Sequence, residues 1–109
     1  MKKELRIYRT RTGKEPFSDW FSSIKDRITR AQVKNRLNRA SLGNYGDCEP
    51  VGNAVYELRI HYGAGYRIYF VEQEKTIILL LIGGSKKTQK SDIKKAKQYW
   101  DEFRERCYD

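Results

Sequence analysis

The sequence predicts an α+β domain, helices packed on an antiparallel sheet, in the order β-αα-βββ-α. Three observations carry that reading. Apolar residues recur at helical spacing in three segments, two in the first half of the chain and one at its end. Three strand-like runs lie between them. The gaps within that block, Gly63-Ala64-Gly65 and Gln73-Glu74-Lys75, are short enough to make the three runs an antiparallel meander.

"ELRIY" (Glu4 to Tyr8) alternates in polarity and starts the chain as a short strand, which "RTRTGKEP" breaks with Gly13 and Pro16. Pro16 suits a first helical turn, where its missing N–H costs nothing. Phe17, Trp20, Phe21 and Ile24 then follow at i, i+3, i+4 and i+7, a stripe expected on the core. Asp26 is an N-cap candidate for a second helix and Gly43 a residue to end it, with Thr29, Val33, Leu37 and Ala40 on its apolar side. "GNYGDCEPVGN" reads as turn chemistry throughout. The strand-like runs are Val55 to Tyr62, Tyr66 to Glu72 and Thr76 to Ile82, the last apolar on both faces and so expected centrally under helices. Ile93, Ala96, Trp100, Phe103 and Cys107 form the inward stripe of a closing helix.

The chain has 109 residues, which suits one domain, 1–109, with a single core. It carries 23 Lys and Arg against 14 Asp and Glu, a net charge of +9, which points to a polyanionic partner. "MKKELRIYRT" lacks the apolar stretch of a secretory signal, and Ile77 to Ile82 is too short to cross a bilayer, so a cytoplasmic protein without membrane contact is expected. Cys48 and Cys107 stand far apart and the chain has one His, a set that does not suit tetrahedral zinc. No cofactor is implied, and the thiols are expected reduced.

The segment "VYELRIHYGAGYRIYF" concentrates the chemistry. Alternation places Glu57, Arg59 and His61 on the face opposite Tyr56, Leu58 and Ile60. A tight loop pairing Tyr62 with Tyr66 would set His61 against Arg67 and Arg59 against Tyr69. Opposed cations cost free energy unless a carboxylate or a phosphate lies between them, and Glu57 is at hand for the first. Arg suits phosphate through its planar fork of donors. Lys86 and Lys87 follow Gly83-Gly84, read as a flexible link at the sheet's end, and register decides whether they reach the hairpin tip. Arg27, Arg30 and Lys34 share a flank of the second helix, and Lys90, Lys94 and Lys97 a side of the last. Lys86, Lys90, Arg30 and Lys34 are candidates for RNA binding; an ordinary solvated surface is the plainer reading of those flanks.

Internal cleavage of RNA needs a base for the 2′-hydroxyl proton, cations for the phosphorane charge and an acid for the 5′ oxygen. Glu57 or His61 could be the base, and Arg59, Arg67 and Lys87 the charge stabilisers, with no metal required. Glu57 is read first as an ion-pair partner of Arg59 or Arg67. His61 has the plainer alternative of a strand-face histidine without a role. Basic charge alone also fits a nucleic-acid-binding module that does no chemistry.

The ordered set "PFSDWFSSIKD", "AQVKNRLNRASLGNYGD", "YELRIHYGAGYRIYF" and "GGSKKTQKSDIKKAKQYW" resembles the RelE/ParE superfamily of toxins from toxin–antitoxin modules, and within it the addiction-module killer proteins related to HigB. The resemblance implies a RelE-like, microbial-ribonuclease-like fold with a two-helix N-terminal hairpin and a C-terminal helix. It implies mRNA cleavage on the ribosome by basic residues, hence translation inhibition and growth arrest. The implied partner is a cognate antitoxin, commonly a helix-turn-helix protein. Arg59, Arg67, Lys86 and Lys87 match the family's functional cations. Ile93 stands about where members with a catalytic Tyr on the last helix carry it, so either proton transfer falls to another group, such as His61 or Tyr99, or this branch relies on cation stabilisation and positioning. The non-nuclease gyrase inhibitors of the ParE kind are the alternative that this departure favours.

Overall fold

The computed structural model describes residues 2–108. In chain order they form β1 (Glu4–Ile7), α1 (Pro16–Ser23), α2 (Arg27–Ser41), β2 (Cys48–Gly52), β3 (Val55–Ile60), β4 (Tyr66–Gln73), β5 (Ile77–Ser85), a 3-10 turn (Lys86–Thr88) and α3 (Gln89–Tyr108). The five strands make one sheet in the order β1-β5-β4-β3-β2. β2 to β5 form an antiparallel meander, while β1 pairs with β5 in parallel, so the sheet is mixed.

The α+β class and the helix order follow the sequence reading, and the caps explain why. Pro16 opens α1, and the Asp26 carboxylate accepts from the Thr29 amide at 3.1 Å and the Thr29 hydroxyl at 2.7 Å to start α2. α2 ends on Gly43 at φ +88°, where the Gly43 amide donates to Ala40 and the Asn44 amide to Arg39, closing a Schellman turn. The one added strand is β2, inside the stretch read as turns. Pro50 is tolerated there because β2 is an edge strand, and its pairing with β3 shifts between Pro50 and Gly52.

Alternation along β3, β4 and β5 divides the core between two faces. Leu58, Ile60, Ile68, Phe70, Ile78 and Leu80 pack with Phe17, Ile24, Val33 and Ala40 under α1 and α2. Val55, Tyr69, Val71, Leu79 and Leu81 pack with Ala96 and Trp100 of α3, and with Tyr8. Each such aliphatic side chain contributes about 1.5–3 kcal/mol by leaving water. The stripe predicted for α3 holds through Phe103, but Cys107 is exposed, beyond the reach of the sheet.

Asn53 and Ala54 link β2 to β3 with φ of 57° and 66°, a two-residue turn in which both residues are left-handed. Ala bears a steric cost there that Gly does not. Ala54→Gly should therefore raise stability by about 0.5–1 kcal/mol, after allowing for glycine's freer unfolded chain. Thermal unfolding reads this as a higher midpoint.

Candidate functional site

Glu57 and Arg59 of β3 share the α3 side of the sheet with Arg67 and Tyr69 of β4. The register pairs Glu57 with Tyr69 and Arg59 with Arg67. This corrects the expected pairing of His61 with Arg67 and of Arg59 with Tyr69. The connection runs over His61–Gly65 rather than a tight three-residue loop, with Gly63 and Gly65 at φ 57° and 74°, the Tyr62 amide donating to the Ile60 carbonyl and the Gly65 amide to the Tyr62 carbonyl. The slip is even, so every strand side chain keeps its face. Of the site residues on this strand, His61 leaves the ladder and is exposed at the tip.

Opposed guanidinium groups are tolerable here because a carboxylate lies between them. Glu57 Oε1 accepts from Arg59 Nε at 2.8 Å. Its Oε2 accepts from Gln89 Nε2 at 2.8 Å and the Tyr69 hydroxyl at 2.9 Å, and lies 3.5 Å from Arg67 Nε. The Glu57 side chain is fully buried. Burial works against its charge, yet hydrogen bonds from Arg59, Gln89 and Tyr69 outweigh it and hold the carboxyl below its usual range. Glu57 is therefore an ionised, bonded anchor that orients two arginines. The same bond, after burial itself, pushes the Tyr69 hydroxyl far above its ordinary pKa.

Beside this pair lies a cavity of about 120 Å³ lined by Arg59, His61, Gly65, Tyr66, Arg67 and Lys86 among others. A second hollow of about 330 Å³ at the tip shares His61, Gly65 and Lys86 with it. Lys86 reaches the tip because Tyr66 pairs with Ser85 and the Lys86 amide donates to the Gly65 carbonyl at 2.8 Å. Arg67 Nη1 donates to that same carbonyl at 3.1 Å.

The Gly83-Gly84 pair preceding Lys86 is not the flexible link read from the sequence. Both residues are buried within β5. A Cβ on Gly83 would come within 2.5 Å of Trp20 Cδ2, and one on Gly84 within 2.8 Å of Thr88 Oγ1 and closer still to Asp92. The pair lacks side chains because helices press on both faces. The following turn is held in turn: the Ser85 amide donates to Thr88 Oγ1 at 3.2 Å, and the Thr88 hydroxyl to buried Asp92 at 2.5 Å.

His61 Nε2 lies 2.5 Å from Asp47 Oδ2. That bond, helped by the charges of Arg59 and Arg36, holds the Asp47 carboxyl below its usual range. Arg36 of α2 reaches across to the Arg59 carbonyl and to the Tyr45 carbonyl at 2.8 Å, fixing the segment that carries Asp47.

The remaining predicted residues are more dispersed. Lys87 is exposed on the 3-10 turn and Lys90 on the first turn of α3, neither with an ion-pair partner among the described residues. Arg30 and Lys34 belong to α2, on the other side of the sheet. Arg30 donates to the Ile24 carbonyl at 2.5 Å, and Lys34 Nζ lies 5.8 Å from the Phe21 ring. Ile93 is half-buried against the α3-side core. Tyr99 sits beside Tyr8, ring centroids 5.1 Å apart, about 15 Å along α3 from Gln89 and away from the cavity. Four participants were missing from the sequence reading of the site: Arg36, Asp47 and Gln89 by name, and Tyr69 in its role. Only Tyr69 left a signal, through its place on the polar face.

Among the described residues no group of His, Cys, Asp or Glu is gathered to hold a metal ion, and no helix is long and apolar enough to cross a membrane. The cavity gathers three cations against one buried carboxylate beside an exposed imidazole. This arrangement suits a phosphate group and a proton acceptor next to it.

Residues 19–101 match the family described as phage-derived protein Gp49-like, a span that takes in every residue of the cavity. An uncharacterized protein of Haemophilus influenzae is 42% identical over 81 residues, covering 74% of this chain and 82% of its own length.

Proposed function

From the premise that the chain belongs to the Gp49-like family of phage-derived proteins, we propose that it is the toxin of a toxin–antitoxin module and cleaves mRNA without a metal. The observation that carries this reading is the Arg59–Arg67 pair, opposed across the hairpin and locked by buried Glu57 beside a cavity that Lys86 also lines. A phosphodiester in that cavity meets preformed donors, and charge building on its oxygens in the transition state is met without reorganisation. Lys87 and Lys90, on the turn and helix start beyond it, extend the positive surface along a bound strand.

Cleavage on the ribosome fits the strong net positive charge, and the neutralising partner is a cognate antitoxin whose acidic segment complements the basic face. The test is controlled expression in a host lacking an antitoxin, with primer extension on a known mRNA. The wild-type chain should give cuts phased with codons. Arg67→Ala should lower the cleavage rate by about 10²–10³, the usual cost of losing one donor to a developing oxyanion, with its circular dichroism spectrum unchanged. Growth arrest with intact mRNA would sink the nuclease reading and put gyrase inhibition, the reading that Ile93 favours, in its place.

A further inference from the structure

Three features outside the arginine pair invite a role: the apolar hollow between β1, α1 and α2, the aromatic hollow around Tyr56 and Phe70, and the Asp47–His61 pair. The last is the one whose chemistry is specified atom by atom. Resting on the ribonuclease reading above, we infer that Asp47 is the positioning residue of the site. It fixes His61 with Nε2–H donating to the carboxylate, so that Nδ1 offers its lone pair to the 2′-hydroxyl.

His61 needs such a partner. Its side chain is 73% exposed and it stands outside the strand ladder, so nothing in the sheet fixes its ring. Asp47 supplies what the sheet does not, and its own placement is determined. The Asp47 carbonyl accepts from the Arg59 amide at 2.9 Å and from Arg36 Nη2 at 3.4 Å. Arg36 spans the Tyr45 and Arg59 carbonyls as well, tying the Asp47 segment to β3. A carboxylate held against the arginine strand by its own backbone is a fixed reference for the imidazole. Nδ1 has no hydrogen-bond partner among the described residues, and His61 lines the same cavity as Arg59, Arg67 and Lys86.

In the step assigned, the 2′-O–H bond breaks and its proton passes to Nδ1. The 2′ oxygen bonds to phosphorus, and the P–O5′ bond breaks with its electron pair on the 5′ oxygen, which takes a proton from solvent. The products are a 2′,3′-cyclic phosphate and a free 5′-hydroxyl. The group touching the reacting atoms is His61, and Asp47 acts through it.

The chain has a single histidine, so imidazole ¹⁵N shifts report His61 without assignment. In its neutral form the wild-type imidazole should show the Nε2–H tautomer predominating, and Asp47→Ala should show a mixture of both. Asp47→Asn, whose amide oxygen still accepts, should keep the wild-type tautomer. The backbone bonds of residue 47 survive both changes, so both variants should fold. On mRNA presented with ribosomes, Asp47→Ala should lose kcat about tenfold with KM nearly unchanged, less than the ~10²–10⁴ expected for removing the proton acceptor itself in His61→Ala. An unaltered tautomer balance or unaltered kcat in Asp47→Ala overturns the assignment while leaving the arginine site intact. Wild-type protein that shows the expected tautomer but cuts no RNA overturns the ribonuclease reading, and the catalytic role of the pair with it.

Discussion

Glu57→Ala should destabilise the fold by about 3–5 kcal/mol, the largest loss expected from any single polar side chain here. The change strands more than one group. Arg67, only 12% exposed at its side chain, keeps its charge without a counter-charge; its Nε already lacks a hydrogen bond of good geometry. The buried Tyr69 hydroxyl and the Gln89 amide lose their shared acceptor, and Arg59 loses its bond at 2.8 Å. Urea denaturation should show a lower midpoint with an unchanged slope.

Acid tests the same residue with the sign fixed in advance. Its folded-state pKa is depressed, so the unfolded chain binds more protons in acid. The stabilisation is complete above the unfolded carboxyl value of about 4.3 and is lost as pH falls through the lower native one. Asp26, Asp47 and Glu72 are also held low and contribute to the acid limb. They remain in Glu57→Gln, so the difference between wild type and that variant isolates Glu57. A variant whose midpoint falls as steeply with acid as the wild type would show that Glu57 carries no buried charge.

How much of this is legible in the sequence depends on the range of the interaction. Caps and stripes are local: Pro16, Asp26 and Gly43 mark helix ends through chemistry complete within four residues. The face shared by Glu57, Arg59 and Arg67 is also local, because alternation fixes it whatever the register. Register itself was not readable. "HYGAG" suits a loop of three or of five residues, and the choice depends on how Tyr66 meets Ser85 on the next strand. β2 was hidden because Pro50 and Gly52 carry turn signals that an edge strand also tolerates. Gln89, Asp47 and Arg36 come from three separate segments, and only the assembled sheet brings them to one strand.

Gly83-Gly84 is the instructive misreading, and it gives the second large effect. A glycine pair without context reads as freedom, whereas in β5 it marks the absence of space. Gly84→Ala should cost about 3 kcal/mol, at the upper end of overpacking, because the new methyl group meets Asp92 and Thr88 rather than the end of a long flexible chain. Neither neighbour yields cheaply: Asp92 is buried and tied to Thr88, and Thr88 caps the turn through Ser85. Relief must come from lifting the start of α3 off the sheet. That would carry Gln89 away from Glu57 and Lys86 away from Gly65, so activity should fall along with stability. A double-mutant cycle separates the clash from other causes. Asp92→Ala alone breaks the Thr88 bond and costs stability, but in the Gly84→Ala background it also makes room. The double variant should therefore be more stable than the sum of the single losses predicts, by about 1–2 kcal/mol. Additive losses would mean that the close approach of α3 to β5 does not set the cost at residue 84, and the glycines would again need another explanation.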